Sequence, residues 1–175
     1  MLESHPAEAQ DALRQSLGAN SANHGARQLL AGLLVESGRN VEAATVLREG
    51  LTLAPGHSGH AMALARLQVT GGSAEEALAT LARGLASASD QPDYHAFYAA
   101  LLQRAGRHEE AIQHYITALR ADPSMPTWLI GVGVSLMARN KLSDAAEAFQ
   151  RALATGELTA EVAQFANQQL KQIRQ

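Results

Sequence analysis

The 175-residue sequence contains no cysteine, which excludes disulfides, thiolate metal sites and a thiol nucleophile while remaining compatible with reducing and oxidising compartments alike. Aromatic residues make up only 4% of the chain, and β-branched runs are scarce, so the usual material of packed sheets is missing. Charge of one sign is missing too. Fourteen basic against 17 acidic residues leave a formal net charge of -3, too weak a positive field to neutralise a phosphate backbone, and no nucleic-acid partner is expected. The longest apolar run, Trp128 to Ala138, is interrupted by Ser135 and falls well short of the roughly 20 residues of a membrane span. No membrane insertion by this chain is expected. The opening Met1-Leu2-Glu3-Ser4-His5-Pro6 has an early acid and lacks the apolar stretch of a secretory signal.

What is present is alanine and leucine within a 46% apolar composition, enough for a continuous core and biased towards helix. Ala43, Ala77, Ala111 and Ala145 recur at a constant step of 34 residues, and each is followed four residues later by a large apolar side chain: Leu47, Leu81, Tyr115 and Phe149. Gly38, Gly72, Gly106 and Asn140 occupy one further column, where a left-handed residue would end a helix. Leu51, Leu85, Leu119 and Leu153 form another. One step earlier Gly50, Gly84, Ala118 and Ala152 are small, so that two helices can approach closely. Between these columns apolar residues recur at helical spacing, which predicts a helix-turn-helix in each unit. Neither helix buries its face alone, and stacked hairpins supply that burial.

The period, the small residue, A-x3-F and the closing Pro55 and Pro123 resemble the tetratricopeptide repeat family, although Ser89 and Glu157 replace the proline in the second and fourth units. The resemblance implies an all-α fold, a right-handed α-solenoid forming a single domain. Residues 1–23 would be a partial repeat, 24–57, 58–91, 92–125 and 126–159 full repeats, and 160–175 a capping helix. In the capping helix Thr159 is the expected N-cap, and Val162, Phe165, Ala166 and Leu170 form an apolar stripe to cover the last hairpin.

Catalytic chemistry finds little support. His57-Ser58-Gly59-His60 has a loosely ligand-like spacing, but at a repeat junction the two rings need not converge, and an exposed turn is expected. His108 and His114 are six apart and face different directions on a helix. Gly131-Val132-Gly133-Val134-Ser135 has neither the preceding strand nor the following lysine of a phosphate loop. Gly133 shares a column with Ala31, Ala65 and Ala99, which predicts close helix packing. Glu75-Glu76 and Glu109-Glu110 open second helices, where carboxylates favour the positive helix end. The expectation is a non-enzyme with no metal and no cofactor.

In tetratricopeptide stacks the first helices line a concave groove. The resemblance therefore assigns Met62, Arg66, Val69, Ala100, Gln103, Arg104, Ile130, Val134 and Met137 to a protein-binding groove for a peptide or amphipathic helix. The carboxylate clamp of co-chaperone members is missing, because Gln28, Gly32 and Ala63 stand where its lysine and asparagines would be. Burial of Ile130, Val134 and Met137 beneath the terminal helix is the competing reading of those three.

Ala96-Phe97-Tyr98-Ala99-Ala100-Leu101-Leu102-Gln103-Arg104, the later Ala152 to Leu158 and the Gln-rich terminal helix are similar to the C-terminal region of the MshN family, biogenesis proteins of mannose-sensitive haemagglutinin type IV pili. That resemblance implies a periplasmic scaffold, anchored through a segment absent from this chain, for assembly of a pilus or secretion machine. The alternative is a cytoplasmic adaptor or chaperone-like module for a client protein. Partners in either case are proteins or peptides, with self-association also allowed.

Overall fold

The computed structural model describes residues 6–174; the first five residues of the expected partial repeat and the last residue of the expected cap lie outside them. Among the described residues there is no strand, and ten α-helices follow one another. They are α1 (Pro6–Ala19), α2 (His24–Glu36), α3 (Asn40–Leu53), α4 (Ser58–Thr70), α5 (Ala74–Gly84), α6 (Pro92–Arg104), α7 (His108–Ala121), α8 (Pro126–Ala138), α9 (Leu142–Ala154) and α10 (Ala160–Ile173), with a short 3₁₀ turn at Leu85–Ser87 after α5. The chain divides into two compact units, residues up to Ala88 and residues from Ser89.

The helices end where the sequence demands it. Gly38, Gly72, Gly106 and Asn140 all have positive φ, between 58° and 83°. Just beyond each, the backbone N–H of Arg39, Ser73, Arg107 and Lys141 donates to the carbonyl five residues back, on Leu34, Gln68, Leu102 and Leu136. This 6→1 closure satisfies carbonyls that the helix end would otherwise orphan. Where a proline closes the unit, the residue before it is extended: Ala54 at φ -137° and Asp122 at φ -134°, as the proline ring requires. Ser89 imposes no such constraint. There Ala88, the residue before it, sits at φ -114° and ψ 13°, and α5 gives way to the 3₁₀ turn.

In the first unit α1 packs on α2, α2 on α3, α3 on α4 and α4 on α5. In the second, α6 packs on α7, α7 on α8, α8 on α9 and α9 on α10. The alanine column, Ala43, Ala77, Ala111 and Ala145, is fully buried, and Leu47, Leu81, Tyr115 and Phe149 are buried beside it. Gly133 touches the ring of Phe149 in its own hairpin: a Cβ there would stand 2.8 Å from Phe149 Cε1, so the predicted close packing is present. Thr159 accepts the Val162 N–H and caps α10. Of the α10 stripe, Ala166 and Leu170 are buried, whereas Phe165 remains 38% exposed while meeting Phe149 edge-on at 6.3 Å.

Candidate functional site

The residues assigned to a groove lie on the first helix of each pair. In the first unit Met62, Arg66 and Val69 are on α4. Their spacing puts them on one face; Met62 and Val69 are half-buried and Arg66 is exposed, with its Nη2 3.5 Å from Met62 Sδ. In the second unit Ala100, Gln103 and Arg104 are on α6, and Ile130, Val134 and Met137 on α8. Arg104 is exposed and the other five are half-buried. Gln103 is held from both ends of its amide. Its Nε2 donates to Gly131 O and Ser135 Oγ, both at 2.8 Å, and its Oε1 accepts from Tyr115 Oη at 3.5 Å. Gln103 thus ties α6 to α7 and α8.

Second helices present hollows of their own. A cavity of about 550 Å³ in the first unit is lined by Arg48, Leu51, Thr52, Gln68, Glu76 and Arg83, among others. In the second, a cavity of about 220 Å³ is lined by Ile116, Leu119, Asp144, Glu147 and Arg151, with apolar residues at its floor.

The largest departure from the sequence reading is at the first repeat junction. His57 and His60 do converge: their rings stack with centroids 3.9 Å apart. His24, at the start of α2, joins them, with its centroid 4.4 Å from that of His57 and its Nδ1 3.0 Å from His60 Nε2. The expected exposed turn is instead a cluster in which His60 is fully buried. Turn geometry drives the convergence. His57 is the N-cap of α4, and its Nδ1 accepts the backbone N–H of His60 at 3.2 Å, which folds the first ring back over the second. The 34-residue register carried a usable signal, since His24 and Ser58 occupy equivalent columns and His57 and His60 flank the latter.

Burial pushes the His60 imidazole down to about 4, helped by the charges of His57, His24 and Arg27. Burial also lowers His57, with His24 adding to it. The positive N-terminal ends of α2 and α4 act in the same sense. Arg27 packs next to this cluster, only 3% exposed. It donates to Val46 O and Ser21 O, both at 2.9 Å, and to Glu49 Oε2 at 3.3 Å. Gly50 makes room for both groups: a Cβ there would stand 2.4 Å from Arg27 Cδ and 2.8 Å from His60 Cδ2. Sequence reasoning missed Arg27, because a lone arginine near the start of a helix ordinarily faces water.

His114 also finds an unforeseen neighbour. Its Nδ1 lies 2.9 Å from Nδ1 of His95 on α6, the rings stack at 5.2 Å, and Tyr98 meets His114 edge-on at 4.8 Å.

Tetratricopeptide repeat profiles match residues 34–101 and, separately, residues 3–58 and 99–158. No curated protein sequence matches the chain. Among solved structures, YrrB, described as a TPR protein with an unusual peptide-binding site, aligns with 93% of this chain and 84% of its own at 16% identity, with a TM-score of 0.77. A MamA crystal structure aligns with 85% of this chain and 86% of its own at 18% identity and a TM-score of 0.73. MamA from Desulfovibrio magneticus RS-1, from residue 41 to its end, covers 85% and 84% at 19% identity and a TM-score of 0.69. At these identities the likeness is one of fold.

Proposed function

The chain belongs to the tetratricopeptide repeat family, and on that premise we propose that it is a non-catalytic scaffold that binds a peptide or helix on the faces of its first helices. The observation that carries the reading is the family match together with the surface the first helices leave open. Half-buried Met62 and Val69 beside exposed Arg66 in one unit, and Ile130, Val134 and Met137 with exposed Arg104 in the other, combine apolar anchors with a cation. That combination suits a short segment held by a few apolar side chains and one acidic group. Gln103, engaged within α6–α8, serves here by setting the surface rather than by contacting the ligand. YrrB, whose description includes a peptide-binding site, is a precedent for the fold in that role.

Peptides selected against the whole chain from a displayed library test this. Arg66→Glu and Arg104→Glu should weaken their binding more at low salt than at high salt, because exposed charge pairs are screened. Ile130→Asp should weaken binding at any salt, with circular dichroism checking that the fold survives. Peptides that bound every variant as well as the parent would move the site to the second helices, whose exposed side chains include Arg48, Arg83, Gln113 and Arg151.

The finer reading is a periplasmic role in assembling a type IV pilus or secretion machine, which rests on the MshN-like segments quoted above. Among the described residues no helix is long and apolar enough to cross a membrane, so an anchor would have to lie elsewhere in the gene. Fusing the whole gene to a reporter active only in the periplasm decides between this and the cytoplasmic adaptor: an inactive reporter on a stably expressed fusion would refute the periplasmic assignment.

A further inference from the structure

Three imidazoles from separate points of the chain meet at one corner of the first unit: His24 from the start of α2, His57 from the turn before α4, and His60 from its first turn. One nitrogen from each lies within 4.8 Å of the other two. Hydrogen bonding accounts for only part of this. Between His24 Nδ1 and His60 Nε2, at 3.0 Å, one nitrogen donates and the other accepts. His60 Nδ1 is then left buried with no hydrogen-bond partner among the described residues. His57 stacks on His60 and gives its Nδ1 lone pair to the His60 N–H.

We propose that His24, His57 and His60 form a binding site for a divalent transition-metal ion of the zinc type, which fastens the start of α2 to the start of α4. Metal–nitrogen bonds of about 2.0–2.1 Å in a tetrahedral site put ligand nitrogens about 3.3 Å apart. The His24–His60 pair is already near that spacing. The widest pair must close by at most about 1.5 Å, which ring rotation of the half-buried His57 and His24 supplies. His57 coordinates through the Nδ1 lone pair that now caps α4, so metal replaces that long hydrogen bond and the one between His24 and His60, whose shared proton moves to the other nitrogen of its ring. The donor set selects the ion: three neutral imidazoles suit zinc, copper, nickel and cobalt, whereas magnesium and calcium require oxygen ligands.

Charge around the site is manageable. The Arg27 guanidinium is turned to Val46 O, Ser21 O and the Glu49 carboxylate, which offsets its charge. The positive helix ends act through space and are much weaker than three coordination bonds. A way in exists beside His57, which lines an open hollow of about 390 Å³ with Ala54, Pro55, Gly56, Ser58 and Ser87. Three protein ligands leave a fourth position for water.

The test uses the full chain without an affinity tag, titrated with Zn²⁺ by calorimetry and with Co²⁺ by visible absorption. One equivalent should bind, Co²⁺ should give the intense bands of a four-coordinate site, and the melting temperature should rise with free Zn²⁺ concentration. His24→Ala and His57→Ser should each cost more than the roughly 10–100-fold that loss of an outer-shell partner costs. Serine is itself a good N-cap, so the second variant removes the ligand and keeps the helix start. His108→Gln should bind as the parent does. Absence of one-equivalent binding, or an affinity in both ligand variants equal to that of the parent, would overturn the site. Peptide binding on the first-helix faces is read out separately and stands or falls without it.

Discussion

Gly131 in α8 and Tyr115 in α7 lie so close that a Cβ added to the glycine would stand 2.3 Å from Tyr115 Cζ and 2.5 Å from its hydroxyl oxygen. The ring has nowhere to go. Tyr115 is 5% exposed, its hydroxyl donates to Gln103, and burial raises the phenol to about 12. Gly131→Ala should therefore destabilise the protein by about 1–3 kcal/mol through overpacking, despite alanine's better helix propensity. Gly32 in α2 supplies the contrast, since nothing lies within 4 Å of its added Cβ. Gly32→Ala should stabilise by roughly 0.5–1 kcal/mol. Urea denaturation of the two variants should give opposite signs, and the same sign for both would refute the packing account.

Arg27 and Glu49 differ sharply in environment, with side chains 4% and 64% exposed. Arg27→Ala leaves Val46 O and Ser21 O without their donor and a void under Gly50, and should cost about 2–4 kcal/mol. Glu49→Gln removes only the solvated end of the pair and should cost less than about 1 kcal/mol. Equal losses in chemical denaturation would mean that the ion pair, rather than the buried guanidinium's bonds and packing, carries the stability.

Stability should fall in acid through His114. Burial lowers its pKa, with the charge of His95 adding to it and Glu110 opposing it; Tyr98 is the other titratable group against the ring. In the unfolded chain His114 titrates near 6.5, so below that pH the unfolded state takes up a proton that the folded ring resists. The contribution is full above the unfolded pKa and is lost as pH falls through the depressed folded value, with a slope of at most about 1.4 kcal/mol per pH unit. His114→Gln should flatten the pH dependence of stability between about 6.5 and the folded pKa. An unchanged slope would show that the folded surroundings of His114 do not disfavour protonation.

The terminal helix should act as a cap. α10 buries Ala166 and Leu170 and sets Phe165 against Phe149. Deleting residues 160–175 should uncover the apolar side of α9 and produce self-association or a lower melting temperature. Light scattering and thermal melts check this, and a truncated chain that stays monodisperse and melts with the parent would sink it.

The repeat was legible in the sequence because it rests on local chemistry. A left-handed residue must end each first helix, so Gly38, Gly72, Gly106 and Asn140 announce themselves. A small residue must stand where helices touch, so Gly50 and Gly133 fall into their columns. Proline must extend the residue before it, so Pro55 and Pro123 mark two of the junctions. The candidate groove was legible only through family resemblance. Side-chain spacing says which face a residue takes, but not what its polar end will meet. Gln103 illustrates this, being placed on the right helix by register and then committed to Gly131 and Ser135 by packing.

By itself, then, the sequence determined the period, the helix limits and the buried columns, because backbone conformation and burial pattern are encoded within one repeat. Only the tertiary structure decided that Arg27 goes inside and that His24 reaches His57 and His60. The histidine contacts join groups more than thirty positions apart, those of Arg27 reach Val46 and Glu49 on the next helix, and both depend on how packed helices desolvate and aim particular side chains, which residue spacing alone does not encode.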